Sequence, residues 1–134
     1  MTYRVLIVDD EPAVRRALER SLRHIGYEAV SAAGGDSAYE VLAHDHFDAI
    51  LLDIRMPLMS GDTLFLAIIR RWPHLEARII LMSGDIENAA VDWSEELKRR
   101  PMLAKPFTFE TLHQAIRSVL PGASSRPKLG NGPA

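Results

Sequence analysis

Residues 5–26, VLIVDDEPAVRRALERSLRHIG, combine a fully apolar run, an acidic turn and a long amphipathic segment. Consecutive aliphatic residues without polar alternation are typical of a strand that is buried on both faces of a parallel sheet. Pro12 suits the first turn of a helix and Gly26 its end, and the apolar residues between them recur at helical spacing. The stretch therefore predicts a strand, a short acidic connection and a helix.

The same pattern of a strand followed by a helix recurs along the chain. Further apolar runs predict strands at residues 49–52, 79–82 and 102–104. A weaker run at residues 27–31 predicts a candidate edge strand. Helical spacing follows each of them, at residues 36–43, 62–71, less clearly 87–99, and 108–119. Thr108 is the expected N-cap of the last helix. This alternation predicts a doubly wound α/β fold, in which helices cover both faces of a parallel sheet.

The composition is that of one ordinary globular domain. The chain has 134 residues, of which 47% are hydrophobic and 25% charged, enough for a single core and too few for two domains of ordinary size. We expect the domain to span residues 1–120, and the residues 121–134, rich in Pro, Gly and Ser, to form a flexible tail or linker. A formal net charge of −2 provides no general attraction for nucleic acid, so we expect no direct nucleic-acid binding.

The sequence also excludes several classes of site. It contains no cysteine, which rules out disulfides, zinc–thiolate sites and thiol catalysis. No apolar run approaches the length of a membrane span, and the first residues lack the pattern of a secretory signal. We therefore expect a cytoplasmic protein without a membrane anchor.

Polar residues follow four of the predicted strands: Asp9, Asp10 and Glu11, then Asp53, Ser83 and Lys105. Because the carboxyl ends of parallel strands meet at one edge of a sheet, these side chains are expected in one small region. Packed carboxylates repel unless a cation neutralises them or a proton is retained, and Mg²⁺ prefers a few carboxylates, several waters and a phosphate. A carboxylate can also attack phosphorus to form an aspartyl-phosphate, a reaction that requires a metal, a lysine and a hydroxyl group.

Four short motifs resemble those of response-regulator receiver domains, the CheY-like domains of two-component phosphorelay signalling. They are Val-Asp-Asp-Glu-Pro at 8–12, Leu-Asp-Ile-Arg-Met-Pro at 52–57, Met-Ser-Gly at 82–84 and Lys-Pro-Phe at 105–107. Their order and spacing also look like the family's, and the resemblance covers residues 3–120. It implies a flavodoxin-like (βα)5 fold with strand order 2-1-3-4-5.

The resemblance implies a phosphoacceptor and a metal site. Asp53 would accept the phosphoryl group and also contact Mg²⁺. Asp10 would be a direct ligand of the metal, Asp9 would hold it through water, and the backbone carbonyl of Arg55 would complete the protein ligands.

The resemblance also gives roles to residues around this cluster. Ser83 and Lys105 would each contact a phosphoryl oxygen, and the peptide bond before Pro106 would be cis. Arg55 and Asp85 occupy the positions that screen the acceptor from attacking water in similar domains, which predicts slow hydrolysis.

Met102 is a departure from the family pattern, since many receivers have Tyr or Phe at this position. A thioether is flexible and can repack, but it lacks the two well-defined orientations of an aromatic ring. Met102 is also open to a plainer interpretation as a core residue. The expected output surface is a face near Arg99, His113 and Arg117.

The resemblance implies partners rather than substrates. A sensor histidine kinase or a histidine phosphotransfer protein would supply the phosphoryl group, and a phosphorylation-dependent homodimer or a downstream protein would receive the signal. The chain would not be an enzyme, but a phosphoacceptor that assists its own phosphorylation and dephosphorylation.

Other interpretations of the same residues remain. Taken singly, Asp9 and Asp10 are compatible with a helix start signal, Ser83 with a cap and Lys105 with a solvated loop lysine. A receiver-like interaction module that acts without phosphorylation also fits the sequence. A phosphatase of the haloacid-dehalogenase type fits poorly, because position 55 is Arg where that family needs a second Asp. A nucleotide-binding Rossmann module would need a Gly-rich loop after the first strand.

Overall fold

The computed structural model describes residues 2–55, 61–84 and 94–121. In this part of the chain, parallel strands form one sheet in the order β2-β1-β3-β4-β5. The strands are β1 Arg4–Val8, β2 Glu28–Ala32, β3 Ala49–Asp53, β4 Ile79–Ser83 and β5 Met102–Ala104. The predicted strands, the parallel sheet and the strand order are confirmed.

Helices connect the strands across both faces of the sheet. In the described residues they are α1 Pro12–His24, α2 Gly35–His44, α3 Gly61–Arg71, a 3-10 helix Pro73–Arg78, α4 Glu95–Lys98 and α5 Phe109–Val119. The sequence pattern does not predict the 3-10 helix; proline has no N–H with which to continue α3, so the chain tightens at Pro73. Most of the helix predicted over 87–99 lies outside the described residues, as does the predicted tail after Pro121.

The ends of two helices confirm the local signals of the sequence. The Oγ1 of Thr108 accepts a hydrogen bond from the backbone N–H of Thr111 at 3.0 Å, which caps α5 as predicted. Gly26, which follows α1, has a φ of 101°, a left-handed conformation that favours glycine. No helix in the ranges that the structure covers is long and apolar enough to cross a membrane.

Two apolar clusters lie on opposite faces of the sheet. Leu6 and Val8 of β1 belong to the cluster under α2 and α3, whereas Val5 and Ile7 belong to the cluster under α1 and α5. All four residues have 0% exposure. Burial on both faces explains the unbroken apolar run, and it leaves the carboxyl edge of the sheet as the place where polar side chains meet.

Candidate functional site

Three carboxylates meet at the carboxyl edge of the sheet. Asp9 and Asp10 follow β1, and Asp53 is the last residue of the neighbouring strand β3. One carboxylate oxygen of each residue lies within 4.8 Å of the others. Asp9 and Asp53 are buried, whereas Asp10 is exposed. The order of the strands in the sheet therefore brings the three residues of the predicted acidic cluster together.

Hydrogen bonds fix both the side chain and the backbone of Asp9. Its Oδ1 accepts a hydrogen bond from the backbone N–H of Glu11 at 2.9 Å, and its Oδ2 accepts one from the ammonium of Lys105 at 2.8 Å. Its backbone N–H donates to the carbonyl of Ala32 at 3.2 Å. Its own carbonyl accepts from the guanidinium of Arg15 at 2.7 Å, a contact that the sequence pattern does not predict.

Lys105 reaches the cluster from the segment after β5. Its Nζ lies 2.8 Å from Asp9 Oδ2 and 3.4 Å from Asp53 Oδ2. The peptide bond before Pro106 is cis, as the resemblance implies. Burial alone would lower the pKa of the Lys105 ammonium, but the hydrogen bond to Asp9 and the charge of Asp53 outweigh it, and the pKa lies above its usual value. Lys105 is therefore a cation at neutral pH.

Asp53 lacks full compensation for its burial. Its Oδ1 accepts a hydrogen bond from the backbone N–H of Arg55 at 3.0 Å. Burial raises the pKa of Asp53 above its usual value; the Arg55 N–H and the charge of Lys105 oppose this increase, and the nearby charge of Asp9 adds to it. A second cation near Asp53 would therefore favour its ionised form.

An open cleft of about 490 Å³ lies over these carboxylates. Among the described residues, its walls are formed by Asp10, Glu11, Asp53, Arg55, Gly84 and Lys105. A water molecule occupies about 30 Å³ of liquid volume. The cleft is therefore large enough for a hydrated cation together with a phosphoryl group.

The donor atoms of the cluster fit Mg²⁺. Oxygen ligands on an octahedral Mg²⁺ lie about 3 Å apart when adjacent and about 4 Å apart when opposite, given bonds of about 2.0 to 2.1 Å. The separations of up to 4.8 Å between the carboxylate oxygens require only small side-chain adjustments. Asp10 can make them, because its carboxylate has no hydrogen bond or ion pair within the described ranges. Asp9, whose oxygens both accept hydrogen bonds, fits a contact through water better than a direct one.

The remaining candidate residues lie around this centre. Ser83 is buried at the end of β4, opposite Ala104 of β5. Met102 is partly buried, pairs with Leu81 and packs against the apolar cluster under α2 and α3. Asp85, the predicted screening partner of Arg55, lies outside the described residues.

The three residues of the predicted output face make different contacts. The ring of His113 lies 5.9 Å from the ring of Tyr27, which follows α1, and the charge of Arg117 acts on the same tyrosine. Arg99 instead pairs with Glu76 of the 3-10 helix at 3.4 Å. At about 100° per residue, His113 and Arg117 share the flank of α5 that lies beside Tyr27. A common face of these two residues with Arg99 stays a prediction.

Comparison with known proteins identifies sequences that are similar to most of this chain. The family model of the response regulator receiver domain matches residues 5–117. Sporulation initiation phosphotransferase F of Bacillus subtilis (strain 168) is 30% identical over 123 residues, which are 90% of this chain and 96% of that protein. The probable transcriptional regulator ycf27 of Porphyridium aerugineum is 31% identical over 131 residues, 96% of this chain but only 53% of that protein, so the chain spans about half of this relative's length.

A solved structure agrees with the fold. Response regulator protein TrrA from Thermotoga maritima, crystallised in complex with Mg²⁺-BeF, has a TM-score of 0.77 and 29% sequence identity. The match covers 90% of this chain and 100% of that one. Together with the strand order and the acidic cluster at the carboxyl edge, these matches identify the family. The chain belongs to the response regulator receiver domain family.

Proposed function

We propose that this receiver domain accepts a phosphoryl group on Asp53 in a Mg²⁺-dependent reaction. The observation that carries the proposal is the position of Asp53: a buried carboxylate that lines the cleft, with the Lys105 ammonium 3.4 Å away and Asp9 and Asp10 beside it. No other arrangement within the described residues combines a nucleophilic carboxylate, a lysine and a candidate cation site.

The proposed reaction transfers a phosphoryl group from a phosphorylated histidine. A carboxylate oxygen of Asp53 attacks phosphorus, a new P–O bond forms, the P–N bond breaks and the imidazole of the donor leaves. Receiver domains interact with histidine kinases or phosphotransfer proteins, so one of these is the proposed donor. The protein would not turn over a substrate; it would assist its own phosphorylation and dephosphorylation.

The residues around Asp53 would position and neutralise the transferred group. Lys105 is within reach of both Asp9 and Asp53, so its ammonium can contact a phosphoryl oxygen after a small movement. Ser83, at the end of the strand beside Asp53, would hydrogen-bond another oxygen. Bound Mg²⁺ would neutralise charge on the carboxylates and the phosphoryl oxygens.

The metal would be held by residues of two neighbouring strand ends. Asp10 and Asp53 would bind it directly, Asp9 through water, and the carbonyl of Arg55 would be the remaining protein ligand. The backbone N–H of Arg55 already donates to Asp53, which ties this peptide segment to the acceptor carboxylate.

The domain would act in a setting that follows from its composition and its family. We propose a cytoplasmic receiver over residues 1–120, with no direct contact with nucleic acid and with an output through a downstream protein or a second phosphorylated copy. The competing hypothesis is a receiver-like module that binds its partner without phosphorylation. It shares the fold but requires no chemistry at Asp53.

A phosphorylation assay separates the two hypotheses. The protein is incubated with Mg²⁺ and a small phosphodonor, and mass spectrometry is used to look for a single added phosphoryl group. We expect the adduct in the wild type and in Asp36→Asn, a matched change in the first turn of α2, but not in Asp53→Asn. A wild-type protein that stays unmodified, or an adduct that persists in Asp53→Asn, would contradict the proposal.

A further inference from the structure

Arg15 makes a contact with the acidic cluster that its position in the sequence does not explain. It lies in α1 next to Arg16, and both belong to the polar side of the helix. Arg16 is exposed, whereas Arg15 is partly buried and its Nη1 donates a hydrogen bond to the carbonyl oxygen of Asp9 at 2.7 Å. A guanidinium at this distance forms a strong, charge-assisted hydrogen bond.

The carbonyl that Arg15 contacts belongs to the peptide bond between Asp9 and Asp10. Because the peptide is planar, fixing this carbonyl also fixes the N–H of Asp10 and the direction in which its backbone continues. The preceding peptide is already anchored, since the N–H of Asp9 donates to Ala32 at 3.2 Å. Arg15 therefore fixes the second of the two peptide groups that lead to Asp10.

Asp10 depends on this backbone support more than its neighbour does. The side chain of Asp9 is held by Glu11 and Lys105, but within the described ranges the Asp10 carboxylate has no hydrogen bond or ion pair of its own. Its direction is therefore set by its backbone and by whatever it binds. A rotated Asp9–Asp10 peptide would move the Asp10 oxygen away from those of Asp9 and Asp53.

We propose that Arg15 is a positioning residue of the metal site, whose guanidinium holds the Asp9–Asp10 peptide so that Asp10 points into the cleft. This inference rests on the proposed function, because it assumes that the cluster binds Mg²⁺. Arg15 does not touch the metal or the phosphoryl group; it acts through the peptide bond. Its fixed positive charge near the acidic turn also offsets part of the repulsion between the carboxylates.

A Mg²⁺ titration without any phosphodonor tests the proposal. The readout is the chemical shift of the backbone amides of Asp10 and Asp53, from which a Kd is obtained for each variant. We expect Arg15→Ala to raise the Kd about tenfold, the scale at which outer partners of a metal site act. Arg16→Ala, the exposed neighbour, should keep the wild-type Kd. Arg15→Lys, which retains a charged donor, should fall between wild type and Arg15→Ala.

The outcomes distinguish this inference from the proposed function. If the wild type itself shows no Mg²⁺ binding, the metal site and the proposed function are both wrong. If the wild type binds but Arg15→Ala binds equally well, only the role of Arg15 is wrong. A general loss of stability does not mimic the effect, because the melting temperature would fall without a change in Kd. Should Arg15→Ala fail to fold, Arg15→Met replaces it, because Met keeps most of the side-chain length without a donor, and a wild-type Kd in that variant overturns the inference.

Discussion

The ammonium of Lys105 is hydrogen-bonded to Asp9 at 2.8 Å, closer than its 3.4 Å separation from Asp53, the candidate acceptor. The positive charge of Lys105 therefore stabilises the carboxylate of Asp9 more than it stabilises the carboxylate of Asp53. This division agrees with the raised pKa of Asp53, for which burial is the main cause. The acceptor is a carboxylate whose charge is incompletely compensated, and several of its properties follow from that.

Replacing Asp53 with Asn should stabilise the protein in the absence of divalent ions. The pKa of Asp53 is raised in the folded state, so between the usual carboxyl value of about 4 and that raised value the folded state binds more protons than the unfolded state. The free energy of unfolding of the wild type therefore falls as pH rises through this window, and an Asn does not titrate. We expect a melting temperature a few degrees higher for Asp53→Asn at pH 7 with EDTA, the scale that about 1 kcal/mol produces.

Thermal denaturation from pH 4 to pH 8 provides the measurement. The gap between Asp53→Asn and the wild type should widen as pH rises and then become constant. Addition of Mg²⁺ should close it by stabilising the wild type. A variant that is less stable than the wild type across the whole range would show that burial of the Asp53 charge is not costly.

Removing the charge of Lys105 should destabilise the fold and increase the effect of Mg²⁺. The pKa of Lys105 is raised, so its contribution is complete at neutral pH and is lost only as pH rises through the raised value. Lys105→Met leaves Asp9 and Asp53 without their cation, which should cost about 2 kcal/mol in EDTA. Mg²⁺ can then neutralise charge that Lys105 no longer offsets, so its stabilising shift should exceed that of the wild type.

Lys98→Met is the matched control for this substitution. Lys98 pairs with Glu95 at 3.7 Å, and both side chains are largely exposed, so the loss of this pair should change stability little. Urea denaturation with EDTA and with Mg²⁺ gives two free energies of unfolding for the wild type and for each variant. Equal losses in Lys98→Met and Lys105→Met would contradict the assignment of a special role to the buried ammonium.

The arrangement of the strand ends was predictable because it follows from the backbone. An unbroken apolar run must be buried on both faces, and the carboxyl ends of such strands must lie at one edge of the sheet. Asp9 and Lys105 come directly after their strands and Asp53 is the last residue of its strand, so topology alone brings them into one region. The family resemblance then supplied the strand order and the cis bond before Pro106, and both agree with the structure.

The contacts that were missed depend on side-chain direction. A helical pattern assigns Arg15 and Arg16 to the same polar side, and only the packed structure shows that Arg15 reaches a backbone carbonyl of the acidic turn. The sequence predicts an output face near Arg99, His113 and Arg117 but does not fix which flank of α5 carries the last two. Their actual flank of α5 is decided by which residues of the helix pack on the sheet, namely Leu112 and Ile116.

The lifetime of the phosphorylated state tests the predicted screen over the acceptor. Arg55 lines the cleft above Asp53, and Asp85 follows β4 in the sequence. Replacing both with Ala should accelerate loss of the phosphoryl group several-fold, because water gains access to phosphorus, while phosphorylation itself remains possible. The decay is followed by mass spectrometry after removal of the donor. The same half-life in the double variant and in the wild type would refute the screening hypothesis.

A phosphoryl group on Asp53 should also affect residues away from the carboxyl edge of the sheet. Phosphorylation should draw Ser83 and Lys105 toward the new charge, an attraction that requires no aromatic residue. Met102 lies in β5 beside Leu81 and packs against the apolar cluster under α2 and α3, so it can repack when the end of β4 moves. The surface that would respond is α4, β5 and the flank of α5 opposite His113.

Beryllofluoride, used as a phosphoryl mimic with Mg²⁺, makes this route measurable by backbone amide NMR. In the wild type we expect shifts around Asp53 and also on α4 and on the α5 flank that carries Thr111 and Ser118. Met102→Ala should shrink the distant shifts while leaving those at Asp53 unchanged, because the cavity that replaces the thioether can absorb the movement of β4. If the wild-type shifts stop at the strand ends, Met102 does not transmit the change, and the output surface lies elsewhere on the domain.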